Sequence, residues 1–291
     1  LQQYAYINDA RKEVWQAYGN VMKNILENFS EGSVNVRMDS NFLLWQGEEG
    51  KALTWMDAIV NGEPVTQRKG YAVEINALWY NAVMFYREIA KLHCQDGEIA
   101  KWDEFAENFP TNFKSTFWSK EIGYLADCVD GSYKDFSVRA NMIFAASLEY
   151  SPISPKIRQL IVEKVRQELL TPRGLRTLSP THPNYHETYF GNQEKRDRAY
   201  HNGTVWPWLI GAFAEAFLRV YGKEAISYIE QIYEEFGNIL CDYCVGNIAE
   251  VYDGNPPYKA GGSISQAWSV AEVCRMKYMI DKCKQFNDSQ L

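Results

Sequence analysis

Residues 73–92, VEINALWYNAVMFYREIAKL, contain the pattern that decides the fold. Their apolar side chains recur at the three- and four-residue spacing of one helix face, at Ile75, Leu78, Ala82, Phe85, Ile89 and Leu92. This spacing predicts a helix over residues 73–94. The same period predicts helices near residues 9–29, 98–118, 137–149, 155–169, 204–220, 223–240 and 263–283. No segment alternates apolar and polar residues between hairpin-type turns, so the sequence predicts an all-α protein without a large sheet.

The connections between these helices alternate between long and short. Long connections cover residues 30–72, 119–136, 170–203 and 241–262, and the links between them are only a few residues long. Short links between helices form antiparallel hairpins. Strict alternation then places all four long loops at the same end of the molecule. We therefore expect a ring of helical hairpins, an α/α toroid, with a plain bundle or a solenoid as the alternative.

Composition excludes several classes of protein. The chain has 291 residues, with 46% apolar and 23% charged residues, as in ordinary globular proteins. Its formal charge of −7 argues against a nucleic-acid partner, since nucleic-acid-binding surfaces are basic. No apolar run approaches the roughly 18 residues that a membrane span needs, so we expect no membrane partner. The chain opens at Leu1 without Met or an apolar leader, so we expect no signal peptide.

The cysteines and histidines do not suggest a metal site. Cys241 and Cys244 form a lone CxxC without a second pair or a nearby His, and Pro183 separates His182 from His186. We expect the six cysteines to be buried, reduced thiols, which suits a reducing compartment and a cytoplasmic location. We expect neither a metal nor another cofactor.

The long loops are rich in groups that bind polyols. Carboxylates stand beside aromatic residues in the first loop (Asp39, Trp45, Glu48, Glu49, Trp55, Asp57) and in the fourth (Glu250, Tyr252, Asp253, Tyr258). The third loop adds arginine, histidine and tyrosine side chains. No glycine-rich phosphate-binding motif and no GxSxG elbow is present. These features favour carbohydrate chemistry, because glycoside hydrolysis needs only two carboxyl groups.

Several long motifs carry a family resemblance. They are LTWMDA at 53–58, VEINALWYN at 73–81, LLTPRGLRTLS at 169–179, RAYHNGTVWPW at 198–208, IAEVYDG at 248–254 and QAWSVAE at 266–272. Together they resemble the C-terminal amylo-α-1,6-glucosidase domain of glycogen debranching enzymes, in order along nearly the whole chain. The resemblance implies a six-hairpin α/α barrel that removes single α-1,6-linked glucose stubs from glycogen or limit dextrin with inversion. It also implies that Asp57 is the general acid and Glu250 the general base.

Two features depart from that family. A six-hairpin barrel has twelve helices, whereas about eight are predicted here, and the family's earlier Asp-x-x-Leu-Trp-Phe segment has no counterpart before Leu1. The resemblance therefore implies one domain over residues 1–291 that represents about the last two thirds of the barrel. The remaining part of the same polypeptide is one expected partner, and a branched α-glucan is the other.

Residues around the two carboxyl groups are candidates for binding substrate: Trp55, Glu74, Trp79, Asn81, Arg198, Tyr200, His201, Trp206 and Asp253. We expect Trp55 and Met56 to shield Asp57 from water, and Trp208 to lie in the core. From the residues alone, Asp57 could instead cap a helix and Glu250 could be a solvated loop charge. The alternatives in function are another inverting glycosidase, acting on trehalose or on glucosyl or mannosyl linkages, and a non-catalytic glycan-binding module.

Overall fold

A computed structural model describes residues 1–93, 96–243 and 245–288, and these are mostly helical. The helices are α1 (Gln2–Ile7), α2 (Arg11–Glu31), α3 (Val73–Leu92), α4 (Asp96–Ile99), α5 (Asp103–Phe117), α6 (Ile143–Ser147), α7 (Pro155–Glu168), α8 (Gln193–Tyr200), α9 (Leu209–Tyr221), α10 (Ile226–Ile239) and α11 (Ala267–Asp288). Single 3₁₀ turns occupy Ala100–Trp102, Ala140–Met142 and Gly222–Ala225. Each of the eight predicted helices has a counterpart, although the segment 137–149 forms only a 3₁₀ turn followed by the short α6.

The part of the chain that the structure describes contains fourteen very short strands, nearly all of them in the long loops. They are β1 (Val36–Met38), β2 (Leu44–Gln46), β3 (Ile59–Val60), β4 (Glu63–Pro64), β5 (Tyr71–Ala72), β6 (Trp118–Ser119), β7 (Tyr124–Leu125), β8 (Cys128–Asp130), β9 (Tyr133–Asp135), β10 (Leu170–Thr171), β11 (Gly174–Arg176), β12 (Val205–Trp206), β13 (Val251–Tyr252) and β14 (Ala260–Gly261). The longest of them has three residues, which is too few for a periodic signal in the sequence.

Strand pairing brings the long loops together. Antiparallel pairing of β5 with β8 joins the first loop to the second. A five-stranded sheet, in the order β10-β11-β12-β13-β14, joins the third loop to the fourth. Helix α8, in the third loop, packs against β3 in the first. The long loops therefore meet, as the alternation of connection lengths predicts.

The helices pack in sequence around a continuous apolar core. Helix α3 packs against α2 and α6, and α9 packs against α6, α7 and α11. Helix α5 adds an aromatic row, because Phe105, Phe109, Phe113 and Phe117 recur every four residues and have no exposed surface. Successive rings of this row lie 4.9, 6.0 and 4.7 Å apart between centroids. Fully buried rings at this spacing fix one face of α5 against the core.

The apolar faces of α2 and α3 differ from the prediction. For α2, the spacing of apolar residues predicts a buried stripe of Val14, Tyr18, Val21, Met22, Ile25 and Phe29. Four of these are exposed, with Tyr18, Val21 and Ile25 near 50% and Phe29 at 37%. On α3, Leu78 is 42% exposed. Residues of both helices line an open groove of about 430 Å³ whose walls are almost wholly apolar: Ile25, Leu26, Phe29, Val36, Leu44, Gln46, Leu53, Ile75, Leu78, Trp79 and Ala82. The spacing of apolar residues identifies the apolar face of a helix but does not show what covers that face.

Two further expectations concern membranes and cysteines. No helix within the described ranges is long and apolar enough to cross a bilayer. Cys128 is buried and free, whereas Cys241 and Cys274 are free but exposed, so the expectation of buried thiols is wrong for these two. The other half of the CxxC, Cys244, lies outside the described residues, as does Cys94.

Candidate active site

Asp57 follows two anchored residues in the first long loop. The Trp55 indole N–H donates to the Oδ1 atom of Asn141 at 2.8 Å. The Met56 side chain has no exposed surface, but Asp57 itself is exposed. The expectation that Trp55 and Met56 shield Asp57 is therefore wrong, because both side chains pack inward while the carboxylate faces solvent. In the free protein, Asp57 is accessible to a ligand.

Glu250 lies in the fourth loop, and both of its carboxylate oxygens accept a hydrogen bond. The Tyr200 hydroxyl donates to Oε1 at 2.5 Å, and the backbone N–H of Ser263 donates to Oε2 at 2.8 Å. The neighbouring Gly262 has a φ of +68°, and a Cβ atom there would lie 2.3 Å from Oε2. Glycine is therefore required at this position, both for the backbone conformation and for the close approach of the carboxylate. These contacts leave Glu250 in one orientation.

Tyr200 lies close enough to both carboxylates to respond to their charges. Its pKa is raised well above the usual value of a tyrosine. Burial is the main cause, because it disfavours the phenolate, and the hydrogen bond to Glu250 comes next. The negative charges of Glu250 and Asp57 add to the increase. Tyr200 therefore stays protonated at ordinary pH and donates its hydrogen bond to Glu250.

Aromatic rings connect the first loop to the third loop and to α11. The Trp55 ring meets those of His201, Trp206 and Trp208 edge-on, at centroid distances of 5.2, 5.4 and 5.1 Å. Trp208 stacks in turn on Trp268 at 4.7 Å. We call Trp55, Trp206, Trp208 and Trp268 the tryptophan cluster. Sequence reasoning missed Trp268, which is 37% exposed. It placed Trp208 in the core, and that half-buried ring does pack against the core. The available signal for Trp268 was its place in the QAWSVAE motif at 266–272, the next motif after the one that contains Glu250.

His201 is wholly buried beside this cluster. Its ring stacks on Trp206 at 5.6 Å, and neither ring nitrogen has a hydrogen-bond partner. Burial lowers its pKa to about 3, and the positive charges of Arg139 and Arg68 act in the same direction. The ring is therefore neutral at ordinary pH. Although predicted to bind substrate, His201 has no exposed surface in the free protein.

Glu74 is also buried, and its partner is a cation of the protein. Its carboxylate accepts two hydrogen bonds from the Arg68 guanidinium, which also donates from Nε to Oδ2 of Asp127 at 2.7 Å. All three side chains are at most 2% exposed. Burial alone would lower the pKa of Arg68, but the charges of Asp127 and Glu74 raise it well above its usual value. We call these three residues the ion cluster. The carboxylate of Glu74 is paired within the protein and is not exposed to a ligand.

Trp79 and Asn81 likewise lie away from the two carboxylates. The Trp79 indole N–H donates to the carbonyl oxygen of Phe42 at 3.3 Å, and its ring packs in the core. The Asn81 amide donates to Oε1 of Gln2 at 2.8 Å and accepts from the backbone N–H of Tyr150 at 3.1 Å. These contacts join α3 to α1 and to the segment after α6. We expect neither residue to touch substrate.

Two more predicted binding residues have structural partners. Asp253 is buried and accepts a hydrogen bond from the backbone N–H of Tyr189 at 2.6 Å, which joins the fourth loop to the third. Arg198 lies on the exposed side of α8 and pairs with Glu194 one turn earlier, at 2.8 Å. Of the nine predicted binding residues, Tyr200 contacts Glu250, and Trp55 lies two residues before Asp57. His201 and Trp206 contact the Trp55 ring.

Comparison with known proteins gives the fold and the family. Neutral trehalase Nth1 from Saccharomyces cerevisiae shares 17% identity and a TM-score of 0.53 over 73% of this chain and 40% of its own. The GH63 mannosylglycerate hydrolase from Thermus thermophilus, in complex with glucose, shares 18% identity and a TM-score of 0.52 over 72% of this chain and 45% of its own. These likenesses show a shared fold.

The sequence relatives are more specific. The glycogen debranching enzyme of Saccharomyces cerevisiae is 26% identical over 66% of this chain, and the match spans 15% of that enzyme. A family model described as Amylo-alpha-1,6-glucosidase matches residues 1–275, nearly the whole chain. The chain therefore belongs to the amylo-alpha-1,6-glucosidase family.

Proposed function

We propose that this chain forms part of a glycoside hydrolase that removes α-1,6-linked glucose stubs from glycogen or limit dextrin with inversion. The observation that carries the proposal is the arrangement around Tyr200. Its hydroxyl donates to Glu250, and its ring contacts Trp206. Trp206 in turn contacts Trp55, which lies two residues before Asp57. Two carboxyl groups connected in this way through the tryptophan cluster are the groups that glycoside hydrolysis requires. Membership of the family supports a branched α-glucan as the substrate.

In this mechanism Asp57 is the general acid and Glu250 the general base. The Asp57 carboxylic acid gives its proton to the glycosidic oxygen, and the bond between that oxygen and the anomeric carbon breaks. Glu250 takes a proton from a water molecule, whose oxygen attacks the opposite face of the same carbon. The product is β-glucose, and the other product is the glucan with a free hydroxyl group. Room for the water requires a separation of about 6.5–9.5 Å between the two carboxyl groups.

The contacts of Glu250 suit the role of base. Tyr200 and the backbone of Ser263 each occupy one lone pair of the carboxylate. A carboxylate has about four such acceptor positions, so others remain for a water molecule. The two donors also fix the direction in which those positions point. Glu250 is therefore prepared to accept a proton without first reorganising.

To act as the general acid, Asp57 needs surroundings that favour the protonated form of its carboxyl group. A general acid must hold its proton near neutral pH, which requires apolar surroundings or a neighbouring carboxylate. Because Asp57 is exposed in the free protein, we propose that a bound glucan covers it and supplies the missing desolvation. We also propose that the chain contributes about eight of the twelve helices of a six-hairpin toroid; its coverage of 40–45% of the related structures supports this.

Paired variants test the two roles in the full-length gene product that carries residues 1–291. Asp57→Asn and Glu250→Gln should each lower the release of glucose from limit dextrin by at least about 10²-fold, the low end for acid–base catalysis. α-Glucosyl fluoride, whose leaving group needs no proton, should partly rescue Asp57→Asn but not Glu250→Gln. Asp130→Asn and Glu63→Gln are matched controls, since both residues are exposed. Near-normal turnover in either catalytic variant would reassign the roles.

A substrate panel tests the linkage. The same protein is incubated with glycogen limit dextrin, with trehalose and with mannosylglycerate, and the sugar released is identified by NMR. We expect glucose from limit dextrin alone, with the β-anomer formed first. Turnover of one of the other two substrates would favour the alternative glycosidase, and α-glucose as the first product would exclude inversion. Binding of limit dextrin without release of glucose would favour a non-catalytic module.

A further inference from the structure

A buried amide links the ion cluster to the loop that carries Asp57. The Asn141 side chain has no exposed surface. Its Nδ2 atom donates to Oδ1 of Asp127 at 2.7 Å, and its Oδ1 atom accepts from the Trp55 indole N–H at 2.8 Å. The same Nδ2 atom lies 3.5 Å from the sulfur of Met56. Asn141 therefore contacts both residues that directly precede Asp57.

The orientation of this amide is fixed by chemistry at both ends. The indole of Trp55 can only donate, and an ionised Asp127 can only accept. Reversing the amide of Asn141 would place its N–H₂ group against the indole N–H and its oxygen against the carboxylate. Both contacts would then be repulsive in a buried site, where an unsatisfied polar group costs most. The direction of the Trp55 ring is thus set by Asp127 through Asn141.

Asp127 is itself held in place by the rest of the ion cluster. Its Oδ2 atom accepts from Nε of Arg68, and its main-chain carbonyl accepts from Nη2 of the same arginine at 3.2 Å. Arg68 is fixed in turn by its bidentate pair with Glu74 in the first turn of α3. A bidentate pair defines both distance and angle. The chain of contacts therefore runs from a core helix to Trp55.

Asp57 has no comparable support of its own. No side chain within the described residues forms a hydrogen bond with its carboxylate, and the residue is exposed. The place of its carboxylate is therefore determined by the backbone of residues 55 and 56. Both of these residues are anchored where Asn141 contacts them. A displacement of about 1 Å in a catalytic group can cost about 10²-fold in rate.

We infer that Asn141 is a positioning residue, which orients Trp55 from the ion cluster and thereby sets the place of the Asp57 carboxylate. The inference rests on the proposed function, in which Asp57 is the general acid. Replacing Asn141 by leucine keeps the approximate volume and removes both hydrogen bonds. The loss of activity should then concern protonation of the leaving group rather than the attack of water.

The test compares two substrates in the full-length gene product. Asn141→Leu should lower kcat for limit dextrin about 10- to 100-fold, but lower kcat for α-glucosyl fluoride by less than about threefold, since fluoride leaves without a proton. Asn76→Leu is the matched control, because Asn76 is equally buried and bonds to the backbone of Leu44 and Ala72. Any general loosening caused by removing a buried amide should lower both rates by the same factor. An equal loss on both substrates in Asn141→Leu would overturn the inference.

A second variant and a spectroscopic measurement cover the remaining outcomes. If Asn141→Leu does not fold, Trp55→Phe, which lacks the indole N–H and has a smaller ring, should show the same selective loss. In ¹⁵N–¹H spectra, Asn141→Leu should move the resonances of the Trp55 indole and of the Asp57 backbone amide, whereas Asn76→Leu should leave them in place. If the unaltered protein hydrolyses neither substrate, the proposed function fails. The spectra still show whether Asn141 determines the position of Asp57. An Asp57 amide resonance that does not move would refute positioning by Asn141.

Discussion

His201 should make the protein less stable in acid, by an amount that can be calculated. The ring is buried with both nitrogens unpaired, and its pKa falls from 6.5 to about 3 in the folded protein. Between these values the unfolded chain binds a proton that the folded chain does not. This contribution to stability is therefore complete above pH 6.5, decreases as the pH falls below that value, and is fully lost near pH 3. The loss is about 2 kcal/mol at pH 5 and approaches about 5 kcal/mol at pH 3.

Urea unfolding of three proteins measures this loss of stability. The free energy of unfolding is determined at pH 7.5 and at pH 5.0 for the unaltered chain, for His201→Phe and for His186→Gln. Phenylalanine keeps a flat ring among the tryptophans but cannot bind a proton. The carboxylates contribute equally to all three proteins, so the unaltered chain should lose about 2 kcal/mol more than His201→Phe between the two pH values.

The exposed His186 supplies the control, and its variant should follow the unaltered chain. The reasoning is refuted if His201→Phe and the unaltered chain lose the same free energy of unfolding. That result would mean that His201 is protonated in the folded protein at pH 5, with a partner or a water molecule that satisfies its ring.

The remaining predictions concern one glycine and one core ring. Gly262→Ala should lower turnover at least about tenfold, because the new methyl group would displace Glu250. Gly123→Ala is the control, because Gly123 has a similar positive φ but open space around it. Both variants should lose ~1–2 kcal/mol of stability, but Gly123→Ala should keep full activity. Equal turnover in the two variants would show that the Glu250 contact does not matter. Phe109→Ala should cost about 3–5 kcal/mol in urea unfolding, whereas Phe190→Ala, at an 83% exposed position, should stay within about 0.5 kcal/mol. A loss below about 1 kcal/mol at Phe109 would contradict the tight packing of the α5 row.

The helices were predictable from the sequence wherever apolar residues recur on one face. Helix α8 was missed because Ala199 is its one buried residue, so it has no apolar stripe to detect. It begins instead with a local signal, the side chain of Asn192 accepting a hydrogen bond from the backbone N–H of Lys195. Such a cap is weaker evidence than a stripe when the helix has only eight residues.

The candidate site was predictable to the extent that its residues are close in the chain. Tyr200, His201 and Trp206 belong to one motif and do lie together. The link between Trp55 and Asn141 spans 86 residues and was not visible, because a buried amide far away in sequence leaves no periodic signal. Nor could the sequence decide which way Asp57 faces. The exposure of Asp57 depends on which of the side chains before it turn inward, and here those of Trp55 and Met56 both do.

The tryptophan cluster has a consequence for light absorption. Four of the nine tryptophans of the chain lie within one connected group, with neighbouring ring centroids 4.7–5.8 Å apart. At such distances the electronic transitions of the indoles couple, so this region contributes to the near-ultraviolet circular dichroism of the protein. Trp268 is the most exposed member of this group. The wavelength of its fluorescence emission should therefore report whether water or a sugar lies against the tryptophan cluster, without any attached dye.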